Sequence, residues 1–155
     1  MHIYSLQREQ KIQLSGDEVF AFFSDPHNLE VLTPPWLRFR ILTPDPIHMG
    51  VGTIIQYRLY WRMLPIAWTT KIVAWDPPKG FTDVQLRGPY RLWEHTHSFV
   101  NVAGGTLVRD VVRYALPFGA LGRLAHRLWV RKDIEAIFDY RAQKITEILE
   151  PSRKT

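Results

Sequence analysis

The stretch that most constrains this chain runs from Phe118 to Glu150, FGALGRLAHRLWVRKDIEAIFDYRAQKITEILE, with no internal proline and glycine only at 119 and 122. Pro117 stands before it and Pro151 after it, so both ends are punctuated. Leu121, Leu124, Ala125 and Leu128 recur at helical spacing, and Ile134, Ile137, Phe138, Ile145 and Ile148 do so again further on. A helix of this length is about 45–50 Å long at 1.5 Å per residue. It must bury an apolar stripe, and the only sizeable partner is the strand-rich sequence before it. At 100° per residue the two apolar sets point in well-separated directions. Either the helix breaks near Trp129–Lys132, or its halves meet different surroundings.

The preceding sequence supplies the partner. Tyr4 to Leu14 alternates as a first strand. Ser15 and Glu18 then form a capping-box pattern opening a short helix over Gly16–Phe23. Asp25-Pro26 opens a second short helix, ended by Thr33-Pro34-Pro35. A meander follows: Leu37–Leu42, Thr53–Met63, Ala67–Trp75, Phe81–Arg87, Arg91–Val102 and Thr106–Leu116, separated by proline- and glycine-rich turns. The expected fold is α+β, a curved seven-stranded antiparallel sheet around one long C-terminal helix, with two short helices after strand one.

At 155 residues the chain fits a single domain spanning 1–155, able to bury roughly 70% of its unfolded surface. It has no cysteine, which excludes disulfides, thiolate catalysis and thiolate metal sites. No apolar run reaches the roughly 18 residues of a membrane span, and the first residues lack a signal-peptide core, so a cytoplasmic location is expected. The net charge is +5, with basic residues gathered at Arg123, Arg127, Arg131 and Lys132 and in the tail at Arg153-Lys154. That cluster suits either the solvated side of a helix or weak contact with an anionic surface; nucleic acid is not an expected partner.

Aromatic residues make up 13% of the chain, and strand parity sends many of them one way. Tyr57, Leu59 and Trp61 share a face, as do Trp68 and Thr70, with Trp36 placed near the early helices. Leu121, Ala125, Leu128 and Trp129 on the long helix are positioned to close the top of a pocket. These residues can equally fill a core. The last hairpin is richer in chemistry. Turned at Gly104-Gly105, it puts Trp93, His95, His97 and Phe99 on the face of Val108, Asp110, Val112 and Tyr114, with His95 opposite Tyr114 and Asp110 diagonal to His97. A carboxylate beside an imidazole orients it and raises its pKa, as general acid–base chemistry requires, so His95, His97 and Asp110 are the catalytic candidates. The same pairs also serve as satisfied structural contacts. His-x-His further resembles half a zinc site, with Asp110 or His126 as a third donor, but the spacing is weak. Neither metal nor cofactor is expected. No phosphate loop or nucleophile elbow is present.

Gly88 to His97 (GPYRLWEHTH), Gly104-Gly-Thr, Val112 to Pro117 (VRYALP) and Gly122 to His126 (GRLAH), in this order of elements, resemble the START and pollen-allergen-like, or SRPBCC, superfamily. The likeness covers nearly the whole chain and is nearest to bacterial ligand-binding members related to polyketide cyclase and dehydratase-like proteins. It implies the helix-grip fold and a cavity for a hydrophobic or amphipathic small molecule such as a lipid, polyketide or isoprenoid. It implies no particular reaction, because superfamily members include both carriers and enzymes. Three functions stay open: a binding module, a cyclase- or dehydratase-like enzyme using the His/Asp pair, and an interaction protein using the basic helix face.

Overall fold

A computed structural model describes residues 1–151; the Arg153-Lys154 tail lies outside the described residues. The elements run β1 (Tyr4–Ile12), α1 (Gly16–Phe23), α2 (Asn28–Leu32), a 3-10 turn (Pro35–Leu37), β2 (Arg40–Ile41), β3 (Ile54–Trp61), β4 (Leu64–Asp76), β5 (Gly80–Arg87), β6 (Leu92–Val102), β7 (Gly105–Ala115), α3 (Gly119–Ala125), a π turn (His126–Val130) and α4 (Arg131–Leu149). Seven antiparallel strands form one sheet in the order β1-β7-β6-β5-β4-β3-β2, so the chain's first strand closes against its last. Register shifts in β4 at Thr69/Thr70 and Ile72/Ala74 bend that strand, and the sheet curls round α4. No helix is long and apolar enough to cross a membrane among the described residues.

Two clusters make the core. One packs α1 and Ile145 of α4 onto Ile12, Ile72, Phe81, Phe99 and Val108. The other sets Ile134 and Phe138 against Val112 and Tyr114. The capping box forms as expected: the Glu18 N–H donates to Ser15 Oγ at 3.3 Å, and the Ser15 N–H donates to Glu18 Oε2 at 3.0 Å.

Two expectations need correction, and one open alternative is decided. The strand expected over Leu37–Leu42 shrinks to Arg40–Ile41, because the prolines at 34 and 35 favour a 3-10 turn and Arg38 follows with φ +46°. The long helix does not break; a π turn carries it from α3 into α4, and its halves do meet different surroundings. The buried side of α4 faces the sheet, whereas Leu121, Leu124 and Leu128 stay largely exposed. Gly122 sets how α3 starts, since any Cβ there would collide with the Pro117 carbonyl oxygen. Finally, the last hairpin pairs Trp93 with Tyr114, His95 with Val112 and His97 with Asp110. The turn is Ala103-Gly104, with Gly104 at φ +79°. Gly105 already belongs to β7, where a Cβ would strike the Ile12 carbonyl. The pairing is displaced by two residues, an even number, so every side chain keeps its expected face.

Candidate functional site

Between the sheet and α4 lies a cavity of about 570 Å³. Tyr57, Leu59, Trp61, Trp68, Thr70 and Trp93 line its sheet side, and Leu121 and Ala125 stand at its helix side. The rings pack on one another: Tyr57 stacks on Trp68 with centroids 5.9 Å apart, and Trp93 meets Trp68 edge-on at 5.3 Å. Burial holds the Tyr57 hydroxyl well above its usual pKa, and the Asp83 charge adds to that, so it stays neutral.

His95 and His97 also line the cavity, from the middle of β6. Around them three charged side chains converge, Asp83, Asp110 and Arg141. His95 Nε2 is 2.8 Å from Asp110 Oδ1, and His97 Nε2 is 3.1 Å from Asp83 Oδ2. His97 Nδ1 lies 3.1 Å from Asp110 Oδ1 but off the line of a hydrogen bond. The imidazoles lie 3.7 Å apart, with Phe81 stacked on His97 at 4.2 Å and Phe138 edge-on to His95 at 5.5 Å. Arg141, on the inner side of α4, lies with its guanidinium 5.5 Å over the Phe23 ring and lines the cavity. Its Nε is buried without a hydrogen-bond partner.

The electrostatics sort these groups into a balanced set. Burial would raise both carboxyls. For Asp83 it is outweighed by the His97 hydrogen bond and the charges of His95, His97 and Arg141. For Asp110 it is outweighed by the His95 hydrogen bond, the close approach of His97 and the Arg141 charge. Both stay ionised, Asp110 held well below the usual carboxylate range. Burial would lower His97, but the Asp83 hydrogen bond and the nearby charges of Asp110 and Asp83 overcome it and its pKa is raised. Burial and the neighbouring His97 charge lower His95 despite Asp110. Two carboxylates therefore face the Arg141 guanidinium and a His97 ring biased towards its protonated form, while His95 is biased towards its neutral form. The neutral ring must place its proton on Nε2 to donate to Asp110, which leaves Nδ1 as an acceptor with no protein partner among the described residues.

Several expected pocket residues sit elsewhere. Leu128 and Trp129 face outward, 46% and 47% exposed, because the π turn carries them off the inner side. Trp36 is also exposed, edge-on to Tyr140. Phe99 is consumed in packing against α1, and Val112 and Tyr114 lie beneath Ile134 and Phe138. Asp110 is buried behind the histidines and does not line the cavity. His126 is engaged away from the His/Asp cluster: its Nε2 is 2.8 Å from the Tyr114 hydroxyl, and its ring stacks on Tyr4 at 3.5 Å. The third donor that joins the two histidines within 4.8 Å is Asp83, which replaces both Asp110 and His126 in that role.

Asp83 and Arg141 are the residues that sequence reasoning missed, and both left a signal. Phe81 and Asp83 alternate on one face of β5, so a carboxylate shares its side of the strand with a core ring. Arg141 continues the Ile134–Phe138–Ile145 stripe and is its one charged member.

The sequence family described as "Polyketide cyclase / dehydrase and lipid transport" matches residues 4–150. No curated protein matches the chain in sequence. Among solved structures, protein CV1439 from Chromobacterium violaceum is similar at 12% identity and TM-score 0.73, covering 95% of this chain and 97% of that one. The Zhui aromatase/cyclase from a Streptomyces species is similar at 11% identity and TM-score 0.67, covering 97% and 98%. A point mutant of norcoclaurine synthase from Thalictrum flavum, in complex with a transition-state analogue, is similar at 16% identity and TM-score 0.66, covering 94% and 96%. At these identities the likeness concerns the fold.

Proposed function

Because the chain belongs to the polyketide cyclase/dehydrase and lipid transport family, we propose that it binds an amphipathic small molecule, lipid-, polyketide- or isoprenoid-like, in the cavity between sheet and α4. One observation carries this reading: an aromatic-walled cavity of about 570 Å³ has a cluster of paired His and Asp side chains at its wall. A core meant only to be packed gains nothing from four buried ionisable groups, each of which risks about 1–3 kcal/mol if unpaired. In a binding site the rings supply contact area and a few polar groups fix orientation. His95 Nδ1 is suited to accept from a ligand hydroxyl. The Arg141 guanidinium is suited to donate to a carbonyl or carboxylate oxygen.

Native mass spectrometry of protein from its expression host, followed by solvent extraction, is expected to reveal an apolar adduct. At a hundred times its dissociation constant such a ligand stabilises the native state by about 2.7 kcal/mol, or about 5–10 °C in melting temperature for a chain of this size. If no adduct appears, and a broad panel of lipids and aromatic polyketides shifts nothing, the binding reading fails.

A second reading, a cyclase- or dehydratase-like enzyme, is favoured by the His95–Asp110 pair. Asp110 holds the imidazole proton on Nε2, so Nδ1 is presented as a base to whatever occupies the cavity. On a substrate that turns over, His95→Gln is then expected to lower kcat by about 10²–10⁴-fold; unchanged turnover would confine His95 to binding.

The cluster is read as a proton-bonded network and not as a metal centre. His95 and His97 each already direct Nε2 at a carboxylate, and Arg141 supplies positive charge to both carboxylates. Elemental analysis of protein purified without chelator is expected to show no stoichiometric metal; one zinc per chain would overturn this.

A further inference from the structure

Helix α3 and the π turn after it present the wrong side for a packed helix. Leu121 is 73% exposed and Phe118 is 81% exposed, and Leu124, Leu128 and Trp129 are open to solvent as well. Between them stand Arg123, Arg127, Arg131 and Lys132, and no acidic residue occurs from Phe118 to Lys132. Of these four cations only Arg131 has an ion pair among the described residues, with Glu135 at 3.1 Å. The β3–β4 turn adds to the same end of α4. The Trp61 indole N–H donates to Asp133 at 2.7 Å and Arg62 reaches the same carboxylate at 3.2 Å. These contacts fasten the turn to the helix, and Met63 and Leu64 at its tip are exposed. Phe118 and Leu121 belong to this patch and also line the cavity, so the apolar surface runs on into the cavity mouth.

We propose that this face docks on an anionic lipid surface. Phe118, Leu121, Leu124, Leu128 and Trp129 insert at the headgroup–acyl boundary, while Arg123, Arg127 and Lys132 meet lipid phosphates. Large apolar side chains alternating with unpaired arginines along one helix are what an interfacial helix requires. Nucleic acid would use the cations but leave the leucines and Phe118 uncovered. A second copy would set one unpaired arginine row against another, in a chain of net charge +5. The lipid surface satisfies both halves of the patch. It also places the cavity mouth against the membrane, so that an apolar ligand passes between bilayer and cavity with little exposure to water.

The test is flotation of the full chain with vesicles. It needs no knowledge of the cavity's ligand, so its outcome is separable from that of the binding reading. Vesicles of phosphatidylcholine with about one-third phosphatidylglycerol are expected to bind the protein at least about tenfold more tightly than phosphatidylcholine alone. Binding should vanish near 1 M salt, where the screening length falls to about 3 Å. The double variant Arg123→Gln/Arg127→Gln is expected to lose the preference for anionic vesicles. The triple variant Leu124→Ser/Leu128→Ser/Trp129→Ser is expected to lose binding even at low salt. Both should melt close to the parent, because the altered side chains are exposed. No vesicle binding by the parent, or undiminished binding by the triple variant, overturns the proposal. So does a salt-sensitive RNA affinity that the triple variant retains in full, or a parent dimer that the triple variant converts to monomer.

Discussion

Replacing Asp110 by alanine is expected to destabilise the protein by about 3–5 kcal/mol, because it strips the buried His95 of its hydrogen-bond partner and removes a carboxylate from beside His97. For a chain of this length that is a fall of roughly 6–20 °C in melting temperature. Asp110 Oδ1 is 2.8 Å from His95 Nε2 and 3.1 Å from His97 Nδ1, so both rings lose their carboxylate together. His97 would retain Asp83, whereas His95 would retain no hydrogen bond to the described residues. Asp110→Asn is expected to cost less, since the amide oxygen can still accept from His95. Thermal or urea denaturation of the two variants is the measurement. A loss below about 1 kcal/mol for the alanine variant would mean that the cluster is not coupled through Asp110.

The same groups fix how stability depends on pH. Asp110 and Asp83 have pKa values below those of the unfolded chain. Their contribution is fully present above about pH 4 and is lost as pH falls through their folded values. His97 is raised, so its contribution is full below about pH 6.5 and is lost as pH rises through its folded value. His95 is lowered and acts in the opposite sense, favouring the native state above about pH 6.5. The melting-temperature difference between parent and Asp110→Asn should therefore shrink as the pH falls below about 4. A difference that grows with acid would contradict the ionised state of Asp110.

Alternation carried most of what was legible in the sequence. Period-two patterns in the last hairpin put His95, His97 and Asp110 inside, and Arg109 and Arg113 outside, where they meet Glu9 and Glu94. Polarity pattern fixes a face but not a register, because a slip of two residues leaves every side chain on the same side. Two adjacent glycines concealed which pair made the turn, and only the close approach of Gly105 to Ile12 on β1 decides it. Helix phase was less legible. A uniform 100° per residue cannot anticipate a π turn, and the turn separates Leu128 and Trp129 from the inner stripe. Asp83 and Arg141 each stand out on their own element, but their association with the histidines needs the fold, since β5, β6, β7 and α4 bring them together from distant positions.

Shortening Phe138 to alanine is expected to show directly that the space under α4 is a receptor and not a packing fault. Phe138 belongs to the core beside Val112, Tyr114 and Ile134, stands edge-on to His95 and also lines the cavity. Removing its ring should cost about 3 kcal/mol, at the low end for a buried phenylalanine, because one side of the ring already borders open space. The melting temperature of the unliganded protein should fall by roughly 6–12 °C. The vacated volume joins the existing cavity and leaves its polar wall in place. A small aromatic such as indole should therefore raise the melting temperature of Phe138→Ala more than that of the parent, through mass action. Ile145→Ala is the control: Ile145 is just as buried but packs in the α1 cluster and does not line the cavity. It should lose about 2–5 kcal/mol with no added response to indole. Equal indole responses in Phe138→Ala and Ile145→Ala would mean that the two sites are both ordinary core, and that the space beneath α4 does not take up ligand.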